Sequence, residues 1–230
     1  QKISVGPPFY NKLIIPFLIF FMFFMFLGPK LNWIKSNFTK VKVEFVLLYI
    51  FSLLISFLIL QITGSKNLIY ILLIFASFYL FIFTTIDFFI KNSSSYSQKI
   101  SHFGFSMLIL SILLNSFFSS EITTNLRVGE KFKFKKEEIK FEKIERITNK
   151  NYTSIVTYFI IKQPKKDLLT LKPELRIYNQ PNMITSEADI KTTIYSDKFL
   201  VVNVVKDDEF FNVRYQNKPF MVWIWISVVL

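Results

Sequence analysis

The stretch LIIPFLIFFMFFMFL, residues 13–27, is a run of fifteen consecutive apolar positions broken only by the imino ring of Pro16. Three similar blocks follow before residue 120, at 45–60, 68–83 and 103–118, each interrupted by a few small or polar residues. A helix needs roughly 17 to 25 mostly apolar residues to cross the hydrocarbon core of a bilayer, and each block reaches that length with its flanks. The sequence therefore predicts an integral membrane protein.

The block positions predict the membrane region. We expect four transmembrane helices near residues 9–27, 43–62, 67–90 and 101–119, so that residues 1–120 form a four-helix membrane region. A further apolar run at 220–230 is eleven residues long, too short to span unless the polypeptide continues. We interpret residues 217–230 as the start of a fifth transmembrane helix.

Residues 121–216 have a different composition, with 18 Lys plus Arg and 14 Asp plus Glu. Residues 131–135, KFKFK, alternate strictly between charged and aromatic side chains, which is the period of a half-buried strand. Further β-branched and aromatic segments alternate with short polar turns; they lie at 139–142, 152–162, 175–178, 191–195 and 199–205. The segment is predicted to form five to seven strands in a small antiparallel barrel or sandwich. The fold class is thus membrane α-helical with an inserted β domain at 121–216.

Basic residues in the links between blocks predict the orientation, because they favour the side of the membrane on which translation occurs. One side carries Lys30, Lys35, Lys40, Lys42, Lys91 and Lys99, and the other carries Lys2, Lys12, Lys66 and Lys218. Because the first side carries six lysines and the second carries four, we expect the first side to face inside and the β domain to lie outside. The near balance of acids and bases in that domain argues against a nucleic-acid surface.

Several kinds of chemistry are excluded. The chain has no cysteine and one histidine, so it offers neither a thiolate site nor a two-histidine metal site of its own. That histidine, His102, opens the fourth block. An ionisable side chain in a span is costly and is a candidate functional residue, and imidazole is a common ligand of transition metals. An interfacial histidine that hydrogen-bonds to a neighbouring helix or to headgroups is the alternative, and the residues alone leave both open.

Motifs flanking the blocks are more specific. The chain contains Val5-Gly6-Pro7-Pro8-Phe9-Tyr10-Asn11 before the first block and His102-Phe103-Gly104 at the fourth. The β segment contains Leu171-Lys172-Pro173-Glu174-Leu175-Arg176-Ile177-Tyr178, and Lys218-Pro219 and Trp223-Ile224-Trp225 follow it. In this order the motifs resemble the C-terminal portion of the CcmF family, the haem lyase of cytochrome c maturation System I.

The resemblance implies that His102 is an axial ligand of a haem b held in the membrane, and hence that it binds the haem iron. The second ligand, the tryptophan-rich WWD segment and the substrate haem would belong to a separate N-terminal piece. The chain would then be part of a holocytochrome c synthase that needs this partner, receives electrons from quinol and acts on apocytochrome c. Its catalytic residues stay unassigned.

Heavy use of Phe, Ile, Lys and Asn fits an AT-rich organellar genome. We therefore expect a mitochondrially encoded split form in the inner membrane, with the β domain in the intermembrane space, rather than a bacterial plasma-membrane protein. The alternative function is a CcmF-derived structural subunit of a larger respiratory-chain assembly, without lyase activity. An N-terminal companion chain would favour the first function, and only respiratory-complex partners would favour the second.

Overall fold

The apolar blocks form helices in the computed structural model, which describes residues 6–27, 42–64, 68–89, 95–164, 168–204 and 210–230. The helices are α1 Pro7–Leu27, α2 Lys42–Thr63, α3 Leu68–Phe89, α4 Tyr96–Phe118 and α5 Met221–Val229. The helix α4 starts earlier than predicted because the Ser95 hydroxyl accepts a hydrogen bond from the Gln98 amide at 3.2 Å, which is an N-cap. Residues 28–41 and 90–94, which carry four of the six lysines predicted to lie inside, lie outside the described residues.

The chain divides into two units, a helical unit of Gln1–Phe117 with Trp223–Leu230 and a β unit of Phe118–Val222. The core of the helical unit is centred on α3, whose Leu73, Ala76 and Leu80 are buried together with Met22 of α1 and Ile109 of α4. Other large apolar side chains of the helices point away from this core and are exposed. Phe17, for example, is 72% exposed. An apolar surface of this kind normally faces lipid or another protein.

Within the described segments, two helices, α3 and α4, are long and apolar enough to cross a membrane, judged by length and composition. The apolar stretches of α1 and α2 are shorter, at Phe9–Met25 and Val46–Ile62. Four helices lie at the predicted positions. That all four of them cross the membrane stays a prediction.

The β unit contains ten strands among the described residues, more than the five to seven predicted. They are β1 Ser120–Leu126, β2 Lys131–Phe134, β3 Glu137–Thr148, β4 Tyr152–Lys162, β5 Leu169–Leu171, β6 Glu174–Asn179, β7 Asn182–Glu187, β8 Asp189–Thr192, β9 Ser196–Val204 and β10 Phe211–Pro219. One sheet has the order β1-β10-β9-β8; the other has the order β2-β3-β4-β6-β7, with β5 on β4. The strand predicted at 191–195 ends at Thr192, because Thr193 turns the chain by hydrogen-bonding to Ser196.

Both sheets contribute to one core. Phe141 of β3 and Phe159 of β4 stack with ring centroids 4.5 Å apart, and Leu200 and Val213 of the other sheet are fully buried in the same cluster. In β2, Phe132 and Phe134 pack against this core while Lys131 and Lys133 are exposed, as the alternation predicted. The predicted antiparallel β domain is therefore a sandwich.

Candidate functional site

His102 lies in the second turn of α4 and is half-buried. No hydrogen bond or ion pair joins its imidazole to another residue in the described part of the chain. Among the described residues, the imidazole nitrogens therefore have no polar partner.

The surroundings of His102 are set by its neighbours on α4. Residues three and four positions on share its face. One of them, Phe105, packs edge-on against Phe21 of α1 at 5.7 Å between centroids. The other, Ser106, shares a 2.7 Å hydrogen bond with the hydroxyl of Thr84 on α3. His102 thus shares a helix face with residues that contact α1 and α3.

Gly104 lies on another side of α4, two residues on. A Cβ there would meet the Cβ of Leu230 at 3.0 Å and the carbonyl oxygen of Ser227 at 3.2 Å, so a side chain would press into α5. Close approach of a helix therefore explains the glycine. Gly104 therefore does not contribute to the helix face that carries His102.

The donor set limits what the site can bind. Within the described residues, no group of three or more His, Cys, Asp or Glu side chains could hold a metal ion. The chain has a single histidine and no cysteine. The chain can therefore offer a metal one imidazole, that of His102.

The Leu171–Tyr178 motif has a structural role in the β unit. Leu171 and Leu175 are buried in the core. The Glu174 carboxylate accepts hydrogen bonds from Ser154 at 2.9 Å and from the Arg176 guanidinium at 3.2 Å. The backbone oxygen of Pro173 accepts from the hydroxyl of Thr157 at 2.8 Å. These contacts fix β6 on β4, and none of them forms a reactive centre.

The sequence reasoning missed a polar cluster in the sandwich. The Glu137 carboxylate accepts hydrogen bonds from the Tyr215 hydroxyl at 2.6 Å, from Gln163 at 2.9 Å and from Lys198, with which it forms an ion pair. Burial, and then the hydrogen bond to Glu137, raise the pKa of Tyr215 well above its usual range. The ion pair of Glu137 with Lys198 links β3 of one sheet to β9 of the other.

Comparisons with known proteins cover the whole chain. Residues 117–219 match a family described as the CcmF C-terminal beta-sandwich. The cytochrome c-type biogenesis protein CcmF of Pseudomonas fluorescens is 24% identical over 100% of this chain and 37% of its own length. That of Escherichia coli K12 is 22% identical over 97% of this chain.

The solved structure "Cytochrome c Heme Lyase CcmF" superposes with a TM-score of 0.73 at 15% identity, covering 97% of this chain and 38% of that one. At this identity the likeness concerns the fold. The chain spans little more than a third of the length of the relatives it matches.

Proposed function

Because the chain corresponds along its length to the C-terminal portion of CcmF, we propose that it acts in cytochrome c biogenesis as part of a haem lyase. The observation that carries the proposal is the shared order of helices and β-sandwich, in which the only histidine lies on the helix that leads into the sandwich. The resemblance extends beyond the β domain, since the matched relatives align with nearly the whole chain.

We further propose that His102 is one axial ligand of a haem b. Its half-buried imidazole has no partner among the described residues and shares a helix face with Phe105, so this chain's residues fit one side of the group. When bound, a haem of this kind supplies one-electron transfer. In this proposal His102 would bind the haem iron, and the packing of α1, α3 and α4 would orient the His102 imidazole.

The second ligand and the substrate haem are proposed to lie on a companion chain that carries the WWD segment. The single histidine of the chain supports this, because a haem with two imidazole ligands needs another one. The proposed substrate is apocytochrome c and the proposed electron donor is quinol.

In this proposal the protein crosses the mitochondrial inner membrane several times with the β unit in the intermembrane space. Protease added from that side would then cut the β unit and spare residues 28–41, whereas cutting there would contradict the orientation.

The test is a comparison of His102→Ala with Ser101→Ala, an exposed neighbour on the same helix. Each variant is expressed with the native partners. His102→Ala should abolish the low-spin b-type spectrum of the purified assembly and the covalent haem of cytochrome c, while the amount of inserted chain stays unchanged. Ser101→Ala should leave all three measurements at the native level. A native assembly without haem, or a normal spectrum in His102→Ala, would contradict the proposal and favour the structural-subunit alternative.

A further inference from the structure

A basic cleft lies at one end of the second sheet. It has a volume of about 400 Å³ and is lined by the β2–β3 hairpin and the end of β4. Four of its lining residues are lysines: Lys133, Lys135, Lys136 and Lys162. Within the described residues none of the four is ion-paired with a carboxylate.

The acids of the cleft are already neutralised. Glu137 is paired with the buried Lys198, and Glu138 is paired with Lys131 at 3.3 Å. These two pairs cancel, so among the described lining residues the four remaining lysines leave a formal charge of +4. Charge of one sign in a concave surface attracts ligands of the opposite sign.

The strand that borders the cleft has an open edge. Within the described part of the chain β2 pairs only with β3, so its other side offers free backbone N–H and C=O groups. The exposed lysines of β2 alternate with Phe132 and Phe134, which are half-buried against the core. Lys135 follows in the turn after β2, where it is exposed and adopts a φ of 53°, which favours glycine over lysine.

We propose that the edge of β2 binds an extended polypeptide segment in which acidic and apolar residues alternate. Such a segment would add a strand through backbone hydrogen bonds, which is a recurring mode of peptide recognition. Its acids would lie beside Lys133 and Lys135, and its apolar residues beside Phe132 and Phe134. Opposite charges on neighbouring strands stabilise a strand pair and like charges destabilise it, so these lysines favour an acidic strand over a basic one. The proposal does not depend on haem binding.

The test uses the full chain in a neutral detergent and a fluorescent hexapeptide, acetyl-Glu-Val-Glu-Val-Glu-Val-amide, with binding followed by anisotropy. Because each opposite-charge cross-strand pair contributes a modest free energy, Lys133→Gln/Lys135→Gln should weaken binding about fivefold. The control Lys150→Gln/Lys191→Gln removes the same charge from exposed positions elsewhere on the β unit, one of them on the edge strand β8, and should change binding by less than about twofold.

Two further peptides test the mode of binding. A version with Gln for Glu should bind at least about fivefold more weakly, because it lacks the charges. A version with proline in place of the central valine should lose a similar factor or more, because proline has no N–H for the sheet. Equal binding of the proline version, or equal loss in both double variants, would overturn the proposal. Binding of dihexanoyl-phosphatidylglycerol without binding of the acidic peptide would also overturn it, by assigning the lysines to a lipid headgroup.

Discussion

At the scale of single residues, the buried ion pair of Glu137 and Lys198 has the largest expected effect on the stability of the β unit. Changing Glu137 to Gln keeps the shape and leaves the ammonium of Lys198 buried without a counter-charge, so we expect a loss of about 3–5 kcal/mol. The exposed pair of Lys131 and Glu138 is the matched control, since Lys131→Gln should cost no more than about 1 kcal/mol. Amide hydrogen exchange of the β strands measures both. Similar protection in the two variants would contradict the account.

Two carboxyl groups should give the β unit opposite responses to pH. Hydrogen bonds from Arg214 and Gln216 lower the pKa of Glu121, so its stabilising contribution exists above the ordinary Glu pKa and is lost as the pH falls through the lowered one. Burial raises the pKa of Asp197, whose Oδ1 has no hydrogen-bond partner among the described residues. Its charged form therefore costs stability at neutral pH, and that cost is relieved on acidification.

Exchange protection at neutral pH and near pH 4 tests this prediction. Glu121→Gln should reduce the loss of stability on acidification. Asp197→Asn should raise stability at neutral pH and enlarge that loss, because the compensating protonation is gone. If both variants changed the acid response in the same direction, the assigned environments would be wrong.

Among the residues, His102 was accessible to sequence reasoning because it is the only histidine and opens an apolar block. The role of Glu137 could not be predicted from the sequence. Glu137 precedes Ile139 and Phe141 at alternate positions of β3, as a core residue would. Its partners Lys198 and Tyr215 follow 61 and 78 residues later. No local pattern reveals that a glutamate at an inward position is neutralised so far along the chain.

At the scale of elements, the long helices were predictable because apolar length alone identifies them, and the start of α4 was missed because its first turn, Tyr96 to Lys99, is polar. The strand β5 was not predicted because it has three residues, too few for alternation to show. Its pairing with β4 gives it its strand geometry, and this is a long-range effect.

The hydroxyl contact between α3 and α4 gives a direct test of helix packing around His102. The hydroxyl oxygens of Thr84 and Ser106 are 2.7 Å apart, and the chain contains no cysteine, so Thr84→Cys/Ser106→Cys should form one intramolecular disulfide under mild oxidation. Thr85→Cys/Ser106→Cys is the control, because Thr85 points about 100° further around α3. A mobility shift on gels reports the crosslink. Efficient crosslinking of the control pair, or none of the first pair, would contradict this packing.

At the scale of the whole molecule, the order of helices and sandwich follows from the sequence, whereas the way the sandwich closes does not. Ser120 at the start of the β unit pairs with Asn217 near its end, so β1 and β10 lie side by side although nearly the whole unit separates them. This pairing is set by the packing of two sheets on one core. Composition and alternation describe each strand separately and carry no information about it.

The central claim is that the imidazole of His102 binds a haem iron, and chemical rescue tests it most directly. His102→Gly, purified with its native partners, should lack the low-spin b-type haem spectrum. Added imidazole should restore that spectrum by occupying the space of the missing side chain and binding the same iron. If His102→Gly keeps the native spectrum before imidazole is added, His102 is not an axial ligand and the account is wrong.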